Sequence, residues 1–326
     1  MELIITAKEL QVNRKNWEVY KQYLTSKAIM NKETVNTTYR QYFNNMKLFF
    51  QYLKQDENNR YILSDDTLKN FTSIWERYVM QCISKGNNNQ TIRNKRTAVS
   101  TFLDWAEKRD LIKINPFRKI EQLKITESDK RRESYFLTQK QIYEIQFYMK
   151  YNPKKFDVQD RLIFNLFLDS AARISAAHSL TLLQLDLDNS CFINVRHKEG
   201  YVRPVMFFQE TKQILLEWIQ ERLNKNIDVD WLFVTKYRGK YKQMSKEAIR
   251  ARVRKMGKIV GIENYYPHSI RKTIINVISG AGTVNDGAML GYHKSTKVTS
   301  EHYIKSKENI EIKNRLLELR RRAGLD

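Results

Sequence analysis

Two of the chain's five histidines stand beside residues suited to handling a phosphate. Pro267-His268-Ser269-Ile270-Arg271 sets an imidazole and a guanidinium three residues apart, on one side of a helix if the segment is helical. Downstream come Leu290-Gly291-Tyr292-His293 and then Tyr303, within Thr299-Ser300-Glu301-His302-Tyr303-Ile304. Upstream, Arg173 follows an apolar run, and Lys198 lies in the turn-like His197-Lys198-Glu199-Gly200. Attack on a phosphodiester builds negative charge on the non-bridging oxygens, which two arginines can hold in bidentate fashion. A tyrosine phenol is a nucleophile able to leave a stable covalent ester. The departing 5′ oxygen needs a proton, which a lysine or histidine can supply. A phosphotyrosine conserves the bond energy, so no ATP is needed. With cations doing this work no metal is required, and no cofactor is expected.

These residues need elements to hold them. The amino-terminal half reads as helices. Tyr39, Tyr42, Phe43, Met46, Phe49, Phe50 and Leu53 recur at three- and four-residue steps as one apolar stripe, with Asn36, Thr37 and Thr38 as caps. After Gly86-Asn87-Asn88-Asn89, Thr91 is expected to cap a helix carrying Ile92, Val99, Phe102, Leu103 and Ala106 on one face. Arg93, Arg96 and Ser100 lie on another face, as candidates for gripping DNA phosphates or as an ordinary charged outer face. That helix should stop before Asn115-Pro116. The apolar rhythm weakens from Phe117 to Ser134, around the charge cluster Lys130-Arg131-Arg132-Glu133, as in a linker. Helical patterning resumes with Thr138 as a cap. Cys191–Val195 and Val202–Phe207 read as a β-hairpin with Lys198 at its tip, and helical patterns return from Thr211 to the end. The reading is a mainly α protein in two parts: a helical domain at 1–120, a linker at 121–135, and an α+β domain with a small antiparallel sheet at 136–326.

Composition points to the partner. Fifty-eight Lys and Arg against 36 Asp and Glu give a net charge of +22, spread over both halves of the chain. An excess of that size calls for a polyanion, and each phosphate contact releases condensed counterions. Double-stranded DNA is the expected partner, with RNA and anionic lipid as the other polyanions. No run of about 18 apolar residues suggests a membrane span. Met1-Glu2-Leu3-Ile4-Ile5-Thr6 does not read as a secretory signal. The two cysteines, Cys82 and Cys191, form neither a disulfide framework nor a zinc spacing. A cytoplasmic location is expected.

With these motifs in this order, the chain resembles the tyrosine recombinases, the family of phage and transposon integrases and chromosome-dimer resolvases. The resemblance covers nearly the whole chain. It implies a two-domain DNA clamp, with a core-binding domain marked by Phe102-Leu103-Asp104-Trp105-Ala106 and Ile114-Asn115-Pro116. The family's first arginine falls on Arg173, followed by Leu180-Thr181-Leu182 through Asp186; its turn lysine falls on Lys198. Its His-x-x-Arg falls on His268 and Arg271, and its nucleophile on Tyr303. The implied activity is site-specific recombination through a 3′-phosphotyrosyl intermediate, for integration or excision of a mobile element. Resolution of chromosome dimers, relaxation by a related topoisomerase, and regulation without catalysis are the other readings. The chain departs from the pattern twice. Ala176 stands where the family has an acid, three residues after its first arginine. Tyr292, not histidine, follows Leu290-Gly291, so His293 is the choice for the sixth site residue and Tyr292 the alternative. The resemblance also implies a tetramer on DNA, linked through a carboxy-terminal helix carrying Ile312, Leu316 and Leu319.

Overall fold

The computed structural model describes residues 11–30, 38–126, 129, 135–197, 200–293 and 295–302. The proposed caps Asn36 and Thr37, the cluster Lys130–Glu133, Lys198, Tyr303 and the stripe Ile312, Leu316 and Leu319 lie outside the described residues. The chain divides into two compact units, Met1–Glu133 and Ser134–Asp326.

The first unit is helical: α1 (Arg14–Met30), α2 (Arg40–Asp56), the short α3 (Asp65–Lys69), α4 (Phe71–Ser84) and α5 (Asn89–Glu107). On α2 the stripe Met46, Phe49, Phe50 and Leu53 is fully buried. Each such side chain contributes roughly 1.5–3 kcal/mol. Around it gather Tyr20, Tyr23, Phe71, Trp75, Phe102 and Phe117 in an aromatic-rich core. Helix α5 starts earlier than the sequence suggests. Asn88, not Thr91, is its N-cap, accepting from the Thr91 backbone N–H at 3.0 Å. It also ends earlier, at Glu107, because Asp110 turns left-handed (φ 57°) well before Pro116. The chain then returns to α5. Asn115, almost fully buried, donates to the Ser100 carbonyl and to Asp104 Oδ1, while its Oδ1 accepts from the Phe117 N–H.

The second unit packs around α7. Helix α6 (Gln139–Tyr151) begins with a capping box between Thr138 and Gln141, as the sequence anticipates. Helix α7 (Val158–Ser170) is buried at every position from Leu162 to Leu168, so it is the central helix of this core. Next come α8 (Ile174–His178) and an antiparallel sheet in the order β1 (Leu185–Asp186), β2 (Cys191–Arg196), β3 (Val202–Met206). The expected hairpin is therefore present, with an irregularity between Phe192 and Val195 where Asn194 is left-handed. Helix α9 (Gln209–Asn224) leads to a second hairpin, β4 (Val234–Tyr237) and β5 (Lys240–Gln243). This hairpin corrects the expectation of unbroken helix after Thr211. Its two-residue turn, Arg238-Gly239, has φ of 48° and 80°, the positive pair that matches strand twist. Helices α10 (Lys246–Gly257), α11 (Pro267–Ala281), α12 (Val284–Gly291) and α13 (Thr296–His302) complete the described chain. The fold is thus mainly α with a small antiparallel sheet. No helix among the described residues is long and apolar enough to cross a membrane.

Candidate active site

Helix α7 ends at Ala171, a left-handed residue (φ 48°), and α12 ends at Tyr292, also left-handed (φ 50°). Helix ends leave carbonyls without intrahelical donors and carry partial negative charge. Arg271, on the first turns of α11 and 2% exposed, donates Nη1 to the Ala171 carbonyl and Nη2 to the Gly291 carbonyl. Its guanidinium thus closes the carboxy-terminal ends of two helices, which explains how a full charge is held at that depth. Pro267 at the start of α11 fixes the entry; His268 is exposed on the first turn, and Arg271, one turn on, is buried.

His293 joins this group. Its Nε2 lies 3.1 Å from Arg271 Nη2 and its Nδ1 lies 2.8 Å from the buried Thr299 hydroxyl. A guanidinium can only donate, so Nε2 accepts and the proton sits on Nδ1, which donates to Thr299. In this arrangement His293 steadies Arg271. Gly291 makes room for it: a Cβ there would stand 2.8 Å from His293 Cε1 and 2.9 Å from Nε2. Tyr292 points elsewhere, with its hydroxyl donating to the Pro204 carbonyl at 3.0 Å. The neighbouring residues therefore divide the work, the imidazole meeting α11 and the phenol meeting β3.

Arg173 is the N-cap residue of α8, extended (ψ 147°) and half-buried. Its carbonyl accepts from the Ala176 and Ala177 N–H groups, while its guanidinium has no hydrogen-bond or ion-pair partner among the described residues. Ala176 is fully buried in the core. On the hairpin, the described chain reaches His197 and Gly200 on either side of Lys198, and the His197 N–H donates to the Tyr201 carbonyl at 2.7 Å. Arg203 stacks over Tyr292 at 4.8 Å and over Tyr201 at 5.2 Å. An open cavity of about 520 Å³ is lined by Arg203, Tyr292, His293 and Thr296, among others. Burial holds the His197 imidazole below its usual range. The guanidiniums of Arg173, Arg203 and Arg271 push the same way, against a backbone hydrogen bond to Arg203. Three guanidiniums thus act electrostatically on one ring. His197 and Arg203 join the candidate site through packing; the motifs mark Arg203 only by its place five residues after Lys198 and do not mark His197. The structure brings together Arg173, Arg271 and His293 with them, with His268 one turn away from Arg271. For Tyr303, the described helix α13 runs up to the preceding residue.

The three first-unit candidates lie apart in their own unit. Arg96 donates to the Phe117 and Ile120 carbonyls at 3.1 and 2.7 Å and stacks over Phe117 at 4.9 Å. Ser100 accepts from Asn115 through its carbonyl and its hydroxyl. Arg93 donates to the exposed Gln122 side chain at 3.0 Å. Arg96 and Ser100 hold the returning chain against α5, and Arg93 is the most outward of the three.

Arginines and a histidine packed together beside the hairpin turn are the kinds of group that can hold an anion. Residues 135–309 match the family model described as the phage integrase family, and the chain belongs to that family. It is a tyrosine recombinase, an enzyme that cuts and rejoins DNA strands. Tyrosine recombinase XerA of Saccharolobus solfataricus is 27% identical over 272 residues, covering 81% of each chain. Tyrosine recombinase XerC of Corynebacterium glutamicum is 22% identical over 236 residues, 72% of this chain and 74% of the relative. Among solved structures, the Tn1549 transposon integrase in complex with a circular intermediate DNA shares the fold at a TM-score of 0.66 and 17% identity. It covers 92% of this chain and 98% of that one. A lambda integrase dimer bound to a COC′ core site gives 0.63 at 13% identity, covering 90% and 98%.

Proposed function

We propose that this recombinase integrates or excises a mobile element, using Tyr303 as nucleophile and Arg173, Lys198, His268, Arg271 and His293 as its site. What supports the assignment is Arg271 held at Ala171, two residues from Arg173, with His293 against it and Arg203 lining the adjoining cavity. Such a cluster repels itself until an anion enters, and a phosphodiester supplies one charge shared over two oxygens. In the reaction the Tyr303 oxygen forms a bond to phosphorus as the bond from phosphorus to the 5′ oxygen breaks. The phenolic proton passes to a neighbouring base, and Lys198 or His268 protonates the leaving 5′ oxygen. Arg173 and Arg271 hold the non-bridging oxygens, and His293 steadies Arg271. The products are a 3′-phosphotyrosine and a 5′ hydroxyl, and the reverse steps rejoin a new strand.

Double-stranded DNA is the partner this reading requires, met in the cytoplasm. The β4–β5 hairpin adds an outer contact: Lys236, Arg238, Lys240 and Lys242 are all exposed there, and Lys242 and Arg238 lie over the Tyr237 ring. Arg93 is the first-unit residue best suited to touch a phosphate. Four protomers are assembled on two sites through the carboxy-terminal segment, so deletion after Asn309 should weaken assembly more than binding of one protomer. Equal loss of both would count against that linkage. The test of the function uses supercoiled plasmids bearing two copies of a site that the protein selects from random duplexes. Excision or inversion according to site orientation is the expected result. Relaxed topoisomers alone would support a topoisomerase, and tight binding without any product would support a regulator.

A further inference from the structure

Two neighbouring groups in the second unit lack partners of opposite kind. Arg173 has no acceptor for its guanidinium among the described residues. His197 buries its Nε2 with no hydrogen-bond partner. A guanidinium only donates, and an unprotonated ring nitrogen accepts. A buried polar atom left unsatisfied loses its hydration without compensation, so a native site holding one calls for an explanation.

The state of the ring follows from its surroundings. Arg173 from α8, Arg203 from β3 and Arg271 from α11 all act on it, Arg173 most strongly of the three. The Arg203 backbone carbonyl favours a proton on the ring's other nitrogen. Tyr292, at the end of α12, meets the ring edge-on at 5.5 Å, and its hydroxyl is tied to the hairpin at Pro204. Tyr201 holds the His197 backbone, and Lys198 and Glu199 follow it in the sequence. Burial and the guanidiniums disfavour the imidazolium, and the buried Nε2 has no partner. Ala176, three residues along α8 from Arg173, offers no side-chain acceptor.

We propose that His197 is a positioning residue for Arg173, its Nε2 accepting an N–H from that guanidinium when the scissile phosphate is bound. A guanidinium anchored on one edge presents its remaining N–H groups in a fixed plane, which is what bidentate phosphate contact requires. A neutral acceptor does this without cancelling the positive charge that the transition state needs, as a carboxylate would in part. The inference rests on the reading of Arg173 as a phosphate-holding residue.

The test is single-turnover cleavage of a nicked duplex carrying the selected site, at saturating DNA. Wild type is compared with His197→Leu, His197→Gln, Arg173→Lys and the Leu/Lys double variant, after thermal melting and DNA binding confirm that each is folded. His197→Leu should cleave about 10- to 100-fold more slowly, the range typical when a supporting hydrogen bond to a site residue is removed. Its KM for DNA should change little. Glutamine, which keeps an acceptor, should recover most of the rate. The double variant should be no slower than Arg173→Lys alone. Wild-type cleavage should also fall on acidification to below the usual imidazole range, as the ring is protonated and loses its acceptor, and the Gln variant should lose that part of the profile. A Leu variant that cleaves at the wild-type rate, or losses that multiply in the double variant, would overturn the proposal. Failure of the wild type itself to form a covalent adduct would instead overturn the proposed function, and this inference with it.

Discussion

Arg96 in the first unit and Arg271 in the second both carry their guanidiniums to pairs of backbone carbonyls, Phe117 and Ile120 for one, Ala171 and Gly291 for the other. Around Arg96 the partners close a structural loop. Phe117 stacks beneath it, and Asp104 and Glu107 hold the adjoining chain through Asn115 and Arg118. Around Arg271 the neighbours are an imidazole that accepts from it and two more arginines acting on one histidine. The same residue type, closing on two carbonyls each time, is a staple in one place and, on the proposed reading, part of an anion site in the other. What separates them is depth and the imidazole: Arg271 is buried with His293 against its guanidinium, whereas Arg96 is half-buried over a phenyl ring.

The comparison can be broken at either end. Arg271→Lys should have the largest effect, slowing cleavage by about 100- to 1,000-fold in single-turnover assays, because an ammonium cannot reach two helix ends and a phosphate together. A loss of only a few-fold would make Arg271 another staple. Gly291→Ala should come next, at about 10- to 100-fold, since its Cβ displaces the His293 ring that supports Arg271. Crystallography or histidine NMR of that variant should show the ring moved. Arg96→Ala should cost about 1–2 kcal/mol of stability in urea melts while leaving the cleavage rate of the bound complex unchanged. A specific loss of cleavage would put Arg96 on the DNA side. Arg238→Gln with Lys240→Gln should have the smallest effect, a few-fold loss of DNA affinity. The slope of binding against salt should fall by about one for each phosphate contact removed.

Much of the site was legible because its residues lie in short local motifs. Pro267, His268 and Arg271 needed only helical spacing, which α11 supplies. The β2–β3 hairpin was legible from its β-formers and turn residues. Other features depend on contacts between distant segments. Thr91 looked like a cap, but Asn88 reaches its N–H first, and the helix stops at Glu107 because the chain turns back to bury Phe117. The β4–β5 hairpin was hidden because its exposed strands alternate lysine with tyrosine or glutamine and turn on Arg238-Gly239 rather than an asparagine pair. His197 carried no signal at all. Its setting is made by α8, β3, α11 and α12 converging, and only their packing leaves Nε2 buried without a partner.

The most direct measurement is covalent capture. Wild type and Tyr303→Phe are incubated with the selected duplex, nicked beside the cleavage position, in the presence of a chelator, and run on denaturing gels. The account predicts a protein–DNA adduct from wild type that survives chelator and is absent from the Phe variant. An adduct that persists in Tyr303→Phe, or a wild type that binds the site tightly and never becomes linked to it, would contradict it.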